Sequence, residues 1–354
     1  MEEFAHLSRE QFQNEQNFQY LDGKQYQTIS IDATAEVTSS YRTERRQPNE
    51  LANFFNPQQS NLQHGDGALA SLRLVVINHP IHDGGGPAAP ILISKETFLQ
   101  LIDLVEIDPT ALWLLLNQYD GLHHLSSATT KTYYLGVSEI VLIWSFKASS
   151  LRTSAFAIPR RSAETVQWIW FSRLLEQHQK YIHTPMLLPY VLGLSLCCAY
   201  DQQVVWRQAR DLQAIEKTVG YGKDSHTLQR RNDVTTLAVA IQNVGGILTH
   251  TANKERHFVM IENILKAIES YVVDQNGSII RFREKIEGSN KKLVAIFPSL
   301  RARIQSSRAY LAYLKERADR ISTVVTIRPD DARRCFSEHG ARGVEPADCR
   351  GIEA

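Results

Sequence analysis

The stretch HPIHDGGGP, His79–Pro87, gathers residue types that hold metals and phosphates. Read as a metal site, it offers His79, His82 and at most Asp83. A zinc site takes three or four well-placed ligands, so this spacing falls short. Read as a phosphate loop, Gly84–Gly86 need a Lys-Ser/Thr directly before a helix, so that backbone amides, an ammonium and a hydroxyl converge on phosphate. Pro87 and Pro90 intervene and Lys95 comes too late. The stretch reads as a flexible loop. PAAP, Pro87–Pro90, fits a minimal polyproline ligand, a pattern too common to assign one.

GLSLC, Gly193–Cys197, matches a nucleophile elbow only in its first three positions. The second glycine is missing and no strand precedes it. Ser195 reads as a helix hydroxyl bonded back to the preceding turn, and Cys197 and Cys198 as small core residues. His123 and His124 follow Gly121 in an expected loop, solvated. His178 and His183, five apart, fall on different helix faces. Trp113, Trp144, Trp168, Trp170 and Trp206 alternate with aliphatic residues rather than Lys and Arg, so they read as core and not as stacking platforms for bases. The basic stretch RTERRQ and the helix SLRARIQSSRAYLAYLKERADR read as solvated faces. No constellation for nucleophilic, acid–base or cofactor chemistry emerges. The expected protein is not an enzyme; no catalytic or cofactor-binding residue is assigned, and metal ligands stay unknown.

Composition sets the frame for these residues. The chain has 354 residues, 43% hydrophobic, enough for two average domains or one large one. Net charge is +1 and the sequence pI about 7.8, so a generic nucleic-acid partner is not expected. Four cysteines in this length do not make a disulfide framework, which fits a reducing, cytoplasmic setting. The start, MEEFAHLSREQFQNEQNFQY, lacks the basic and apolar regions of a secretory signal and is too acidic for a transit peptide. The longest apolar run, MLLPYVLGLSLCCAY from Met186 to Tyr200, would span roughly 22 Å as a helix. A bilayer core asks about 30 Å, and Pro189 and Gly193 interrupt the run. It reads as a buried core helix, with no membrane insertion.

The fold class read along the chain is an α/β N-terminal part followed by long α-helices. Residues 1–60 read as a polar, partly disordered extension or a partly ordered edge. Residues 61–160 read as a mixed portion: SLRLVVINHP, KTYYLGVSEIVLIWSFK and TSAFAIPR as strands, SKETFLQLIDLVEIDPTALWLLLNQYD as a helix capped by Ser94 and a second helix restarting at Asp108-Pro109. Residues 161–327 read as helical. Apolar series at spacings of three and four run through Val205, Leu212, Ile215 and Val219; through Val234, Leu237, Ile241, Val244 and Leu248; and through Phe258, Ile261, Leu265, Ile268 and Val272. The longest runs through Phe297, Leu300, Ile304, Leu311, Leu314, Ala318, Ile321 and Val325, with Ser307 its one polar lapse. Such seams pack helices side by side, in a bundle or, second, in an oligomeric coiled coil. Val273–Phe282, with Asn276-Gly277, reads as an interhelical loop. Arg328-Pro329 is expected to break the last helix, and residues 328–354 to form an aperiodic, disordered tail.

The order of these parts resembles the cytosolic portion of the CorA-like magnesium transporter family, particularly its divergent group in filamentous fungi. FLQLIDLVEIDPTALWLLL is similar to the family's helix pair behind the first sheet, and YYLGVSEIVLIWSF with SAFAIPR to its paired strands. HTPMLLPYVLGLSLCCAYDQQV resembles its helix with a Leu-Leu-Pro step. DLQAIEKTVGYG resembles its helix followed by Thr-Gly, with Val219 in between here. SSRAYLAYLKERADRISTVVT resembles the start of the stalk helix. The resemblance covers about residues 65–327 and rests on loose hydrophobic patterns. It implies a stalk that continues into two membrane helices, a Gly-Met-Asn motif, five subunits around a pore, and hydrated Mg2+ held by oxygen atoms. This sequence has no Gly-Met-Asn and no apolar run of that length after Val325, so no ion-path residue carries over. The resemblance thus implies a truncated stalk, with out-of-family sequence appended from about Ile327 and DDAR, Asp330–Arg333, as its last remnant. A homo-oligomer through the stalk helix is the partner it implies. A full-length version would be an integral membrane protein. The alternative reading is a soluble helical scaffold or regulator that binds a full-length relative or another protein.

Overall fold

The computed structural model describes residues 6–7, 10, 12–19, 23–34, 39–56, 68–78, 90–126, 130–160, 166–200, 206–219, 234–272 and 282–340. The loop His79–Pro87, residues 273–281 of the expected interhelical loop and residues 341–354 lie outside them. The strands are β1 (Tyr26–Thr34), β2 (Ser40–Arg46), β3 (Ala68–Val76), β4 (Gly121–Ser126), β5 (Lys131–Gly136), β6 (Ile140–Lys147) and β7 (Arg152–Pro159). They form one sheet in the order β2-β1-β3-β7-β6-β5-β4. Only the β3–β7 pair is parallel, with Ser71 opposite Arg152 and Val76 opposite Ala157. The other pairs are antiparallel.

Sequence composition follows position in this sheet. β6 and β7 are buried along nearly their whole length. A strand covered on both faces reads as a continuous apolar run rather than an alternation. β2, SYRTERR, is an edge strand, and its charges discourage pairing with a second sheet. Of the two expectations for residues 1–60, the ordered edge is the one that β1, β2 and a helix there match. The signal was present in β1, where Tyr26, Ile29, Ile31 and Ala33 are buried. The Asn/Gln-rich surroundings of that short stretch hid it.

One face of the sheet is covered by α1 (Pro48–Phe55), α2 (Lys95–Leu104) and α3 (Thr110–Leu116). Their Leu51, Phe55, Phe98, Leu101 and Leu112 join Tyr26, Val75, Tyr134, Ile143 and Phe156 in one core. Ser94 caps α2, its hydroxyl accepting from the Thr97 amide at 3.2 Å. The Asp108 carboxylate accepts from the Thr110 amide at 2.8 Å at the start of α3. Between the two helices, the Ser145 hydroxyl donates to the Val105 carbonyl at 2.6 Å, and the Asp108 amide donates to Thr132 Oγ1 at 2.9 Å. These bonds pin the interhelical turn to β5 and β6. Near β2, Arg73 pairs with Asp32 at 2.8 Å, their side chains only 10% and 12% exposed. Burying either alone would leave a charge without a partner.

On the other face, Ile29, Ile31, Leu72, Leu74, Leu142 and Trp144 are fully or almost fully buried. From α4 (Val166–Gln177), the Trp168 indole donates to Gln27 Oε1 at 3.3 Å. A 3-10 turn, Gln179–Tyr181, leads to α5 (Leu187–Tyr200). α5 is buried almost throughout, so its sequence is apolar on every side. Among the described residues, no helix is long and apolar enough to cross a membrane.

The remaining helices are α6 (Trp206–Thr218), α7 (Val234–Glu269), α8 (Arg283–Val294) and α9 (Phe297–Gly340). The chain falls into two compact units. One comprises residues 1–197 and 260–298, the other 198–259 and 299–354. The units therefore interleave along the chain, whereas the sequence partition is linear. Two apolar series expected as separate are one 36-residue helix, α7. α9 runs through Pro329 to Gly340, beyond the expected break. A proline removes one i→i−4 hydrogen bond, but Ala332, Arg333 and Arg334 beyond it are good helix formers, so the ladder resumes.

Candidate functional site

The helical unit is built from apolar seams on α6, α7 and α9. On α9, Leu300, Ile304, Leu311, Leu314, Ala318 and Ile321 are all buried, the seam that the sequence showed. On the first half of α7 the buried positions among the described side chains include Ala240, Val244, Ile247 and Thr251, while Ile241 is 42% exposed. The stripe is one residue off the expected one at Ile241 and Leu248, where Ala240 and Ile247 are the buried positions. Ala240 supplies the close-packed position and Ile241 the open one, which hydrophobicity alone cannot rank. Thr251 fits the buried stripe because its hydroxyl donates to the Ile247 carbonyl at 2.9 Å. α6 contributes Leu212, Ile215 and Val219.

Ion pairs flank these seams. Arg317 of α9 clamps Glu216 of α6 with two bonds, Nε to Oε1 at 2.9 Å and the terminal nitrogen to Oε2 at 2.5 Å. This two-pronged geometry is what a guanidinium offers a carboxylate. Arg308 of α9 pairs with Glu255 of α7. Arg317 also lies 5.4 Å over the Tyr313 ring. Between α6 and α7 runs an open groove of about 990 Å3, lined by Asp211, Ile215 and Thr218 on one side and Val239, Asn243 and His250 on the other.

The seam that could join neighbouring chains is thus covered within one chain. Among the described residues of this unit, the large apolar side chains left in solvent are Val239, Ile241, Val259 and Tyr313, each 42–50% exposed. Among the described residues, no group of three or more His, Cys, Asp or Glu side chains could hold a metal. Glu216 and Glu255, which reach α9 from α6 and α7, are each already paired with an arginine.

The residues singled out by type in the sequence are scattered. His123 and His124 lie in β4, not in a loop. His124 stacks on Tyr133 at 4.8 Å, and Tyr133 on Trp144 at 5.1 Å. Burial lowers the pKa of His123, against a backbone hydrogen bond at Asp120. The alternation in GLHHLS was too short to outweigh the loop signal of Gly121. His178 and His183 lie beyond the end of α4, so neither is on a helix face. The Ser195 hydroxyl donates to the Leu192 carbonyl at 2.8 Å, as a helix hydroxyl should. Cys197 is buried and Cys198 half-buried, and neither is in a disulfide. Trp144 and Trp168 are buried, Trp113 and Trp170 only half-buried, and the Trp206 side chain lies outside the described ones. The structure also holds what the sequence did not single out: the Glu216–Arg317 clamp and a cluster of Lys180, Lys285 and Lys292. The two lysines on α8 are seven residues apart, a legible spacing, but the approach of Lys180 exists only in three dimensions.

No family model matches this chain, and no curated protein sequence matches it.

Proposed function

We propose that this chain is the water-facing body of a CorA-like magnesium-transporter relative, with α9 as its stalk helix. The observation that carries the reading is α9 itself. Its 44 residues span roughly 66 Å, and it closes a chain order of sheet, paired helices and helical unit. Support comes from the stretches behind the resemblance, which form α2 and α3 against the sheet, β5 to β7 as neighbouring strands, and Leu187-Leu188-Pro189 at the start of α5. Conduction needs segments that cross a bilayer. The role proposed for the described residues is therefore assembly and support, and ion conduction by this chain alone is not part of it. Association would use the outward faces of α7 and α9.

The test is the mass of the purified full chain in solution, with and without millimolar magnesium. The reading expects an oligomer that Val259→Glu with Tyr313→Glu dissociates. It also expects magnesium to raise the melting temperature, because a ligand held by the folded assembly stabilises it by mass action. A monomer whose melting temperature ignores magnesium defeats the proposal. The covered α9 seam favours a second reading, a monomeric helical scaffold or regulator. Its signature is a stable protein partner recovered without any membrane relative.

A further inference from the structure

The 3-10 turn Gln179–Tyr181 packs against α8, and the two enclose an open pocket of about 490 Å3. Lys180 and His183 line it from the turn, Lys285 and Lys292 from α8. Lys285 and Lys292 are two helical turns apart and share a face. Gly288 lies between them, and a Cβ added there would meet nothing within 4 Å, so the helix leaves the space between the lysines open. None of the three lysines is ion-paired among the described residues. Lys180 lies 5.2 Å over the Tyr181 ring instead. Glu284 is the only carboxylate in the lining.

Lys180, Lys285 and Lys292 line one open concavity, and their like charges repel each other. The effect reaches His183. Burial lowers its pKa first, Lys285 and Lys292 lower it further, and a hydrogen bond at the Lys180 backbone opposes them. A neutral imidazole in such a place remains a hydrogen-bond donor. The volume is that of a small-molecule site, which typically takes roughly 300–1,000 Å3. We propose that this pocket binds a soluble phosphate-bearing small molecule, its phosphate oxygens held by Lys180, Lys285 and Lys292. The inference stands on the pocket alone and does not need the transporter-like reading.

The experiment is calorimetric titration of the full chain at low salt with inorganic phosphate, pyrophosphate and adenosine triphosphate in turn. Saturable binding of at least one probe is expected. Lys285→Gln with Lys292→Gln should weaken it at least tenfold by removing charge. Gly288→Leu should weaken it as much by filling the space while keeping every charge. Adenosine triphosphate binding more tightly than pyrophosphate assigns a nucleotide to the site. Equal binding assigns the phosphate groups alone. No saturable binding of any probe, or binding that ignores both variants, overturns the proposal.

Discussion

Cutting the Glu216–Arg317 clamp tests whether α6 is held to α9 by charge as well as by its apolar seam. The side chains are 12% and 24% exposed, respectively. That places the pair between exposed ion pairs, worth about 0.2–1 kcal/mol, and buried ones, whose breaking costs about 3–5 kcal/mol. Arg317→Ala leaves the less exposed partner, Glu216, charged and unpaired, so we expect a cost of about 2 kcal/mol. Glu216→Ala leaves Arg317, whose long stem can carry its head back to water, so the expected cost is nearer 1 kcal/mol. The double variant should cost about what Arg317→Ala does, giving a coupling of about 1 kcal/mol. The cycle is needed because Arg317 also contacts Tyr313, and that loss cancels in the coupling. Two compact units need not unfold together. The readout should therefore be hydrogen exchange of the α6 amides under urea, which reports local opening. High salt should leave most of the coupling in place, since the pair is largely shielded from ions. A coupling below about 0.3 kcal/mol, the usual error of additivity, would show that the clamp is geometry without energy.

Gly136→Ala in β5 would put a methyl group 2.0 Å from the Tyr119 carbonyl oxygen and 2.8 Å from the Tyr134 hydroxyl. Backbone must move, so we expect a loss of at least about 3 kcal/mol by equilibrium denaturation; a cost under 1 kcal/mol would contradict the packing drawn here. The Tyr134 hydroxyl lies 2.9 and 3.1 Å from the Tyr119 and Leu114 carbonyls, and burial, opposed by Arg160, pushes its pKa up to about 12. The folded state holds this proton more tightly than the unfolded one, so its contribution is complete below about pH 10 and is lost as pH rises toward 12. Alkaline melts should steepen in that window, and Tyr134→Phe should flatten them. Ile304→Ala at the fully buried α9 seam should cost about 2–5 kcal/mol, while Val239→Ala, 50% exposed, should stay within about 0.5 kcal/mol; similar values for both would mean that the seam is not where the unit is held.

What could be read in advance was whatever repeats locally. The α9 seam and the Ser94 cap follow from spacings of three and four residues, and the strands around Trp144 from a dense apolar run. β1 and β2 escaped notice because an edge pair is recognised by its neighbour, and Tyr41 opposite Ile31 is a relation across the sheet. The course of α9 past Pro329 escaped because one strong local breaker was set against the summed propensity of the residues beyond it. The clamp at Glu216 and the basic pocket were invisible because each joins residues more than 100 positions apart.

The single parallel ladder between β3 and β7 divides the sheet into two sets of strands, β2-β1-β3 and β7-β6-β5-β4, each joined by antiparallel pairs. Within each set, pairing closes short or moderate loops, which form quickly. Joining them brings Ser71 to Arg152, across α2, α3 and three strands, and that loop closure comes before any of its contacts reward it. We therefore expect the sheet to assemble as two early, separately ordered ribbons with a slow docking step between them. Substitutions along β3 and β7 should slow refolding, whereas those in β2 or β4 should mainly speed unfolding. Refolding unaffected by Leu74→Ala, on the ladder, would put the slow step elsewhere.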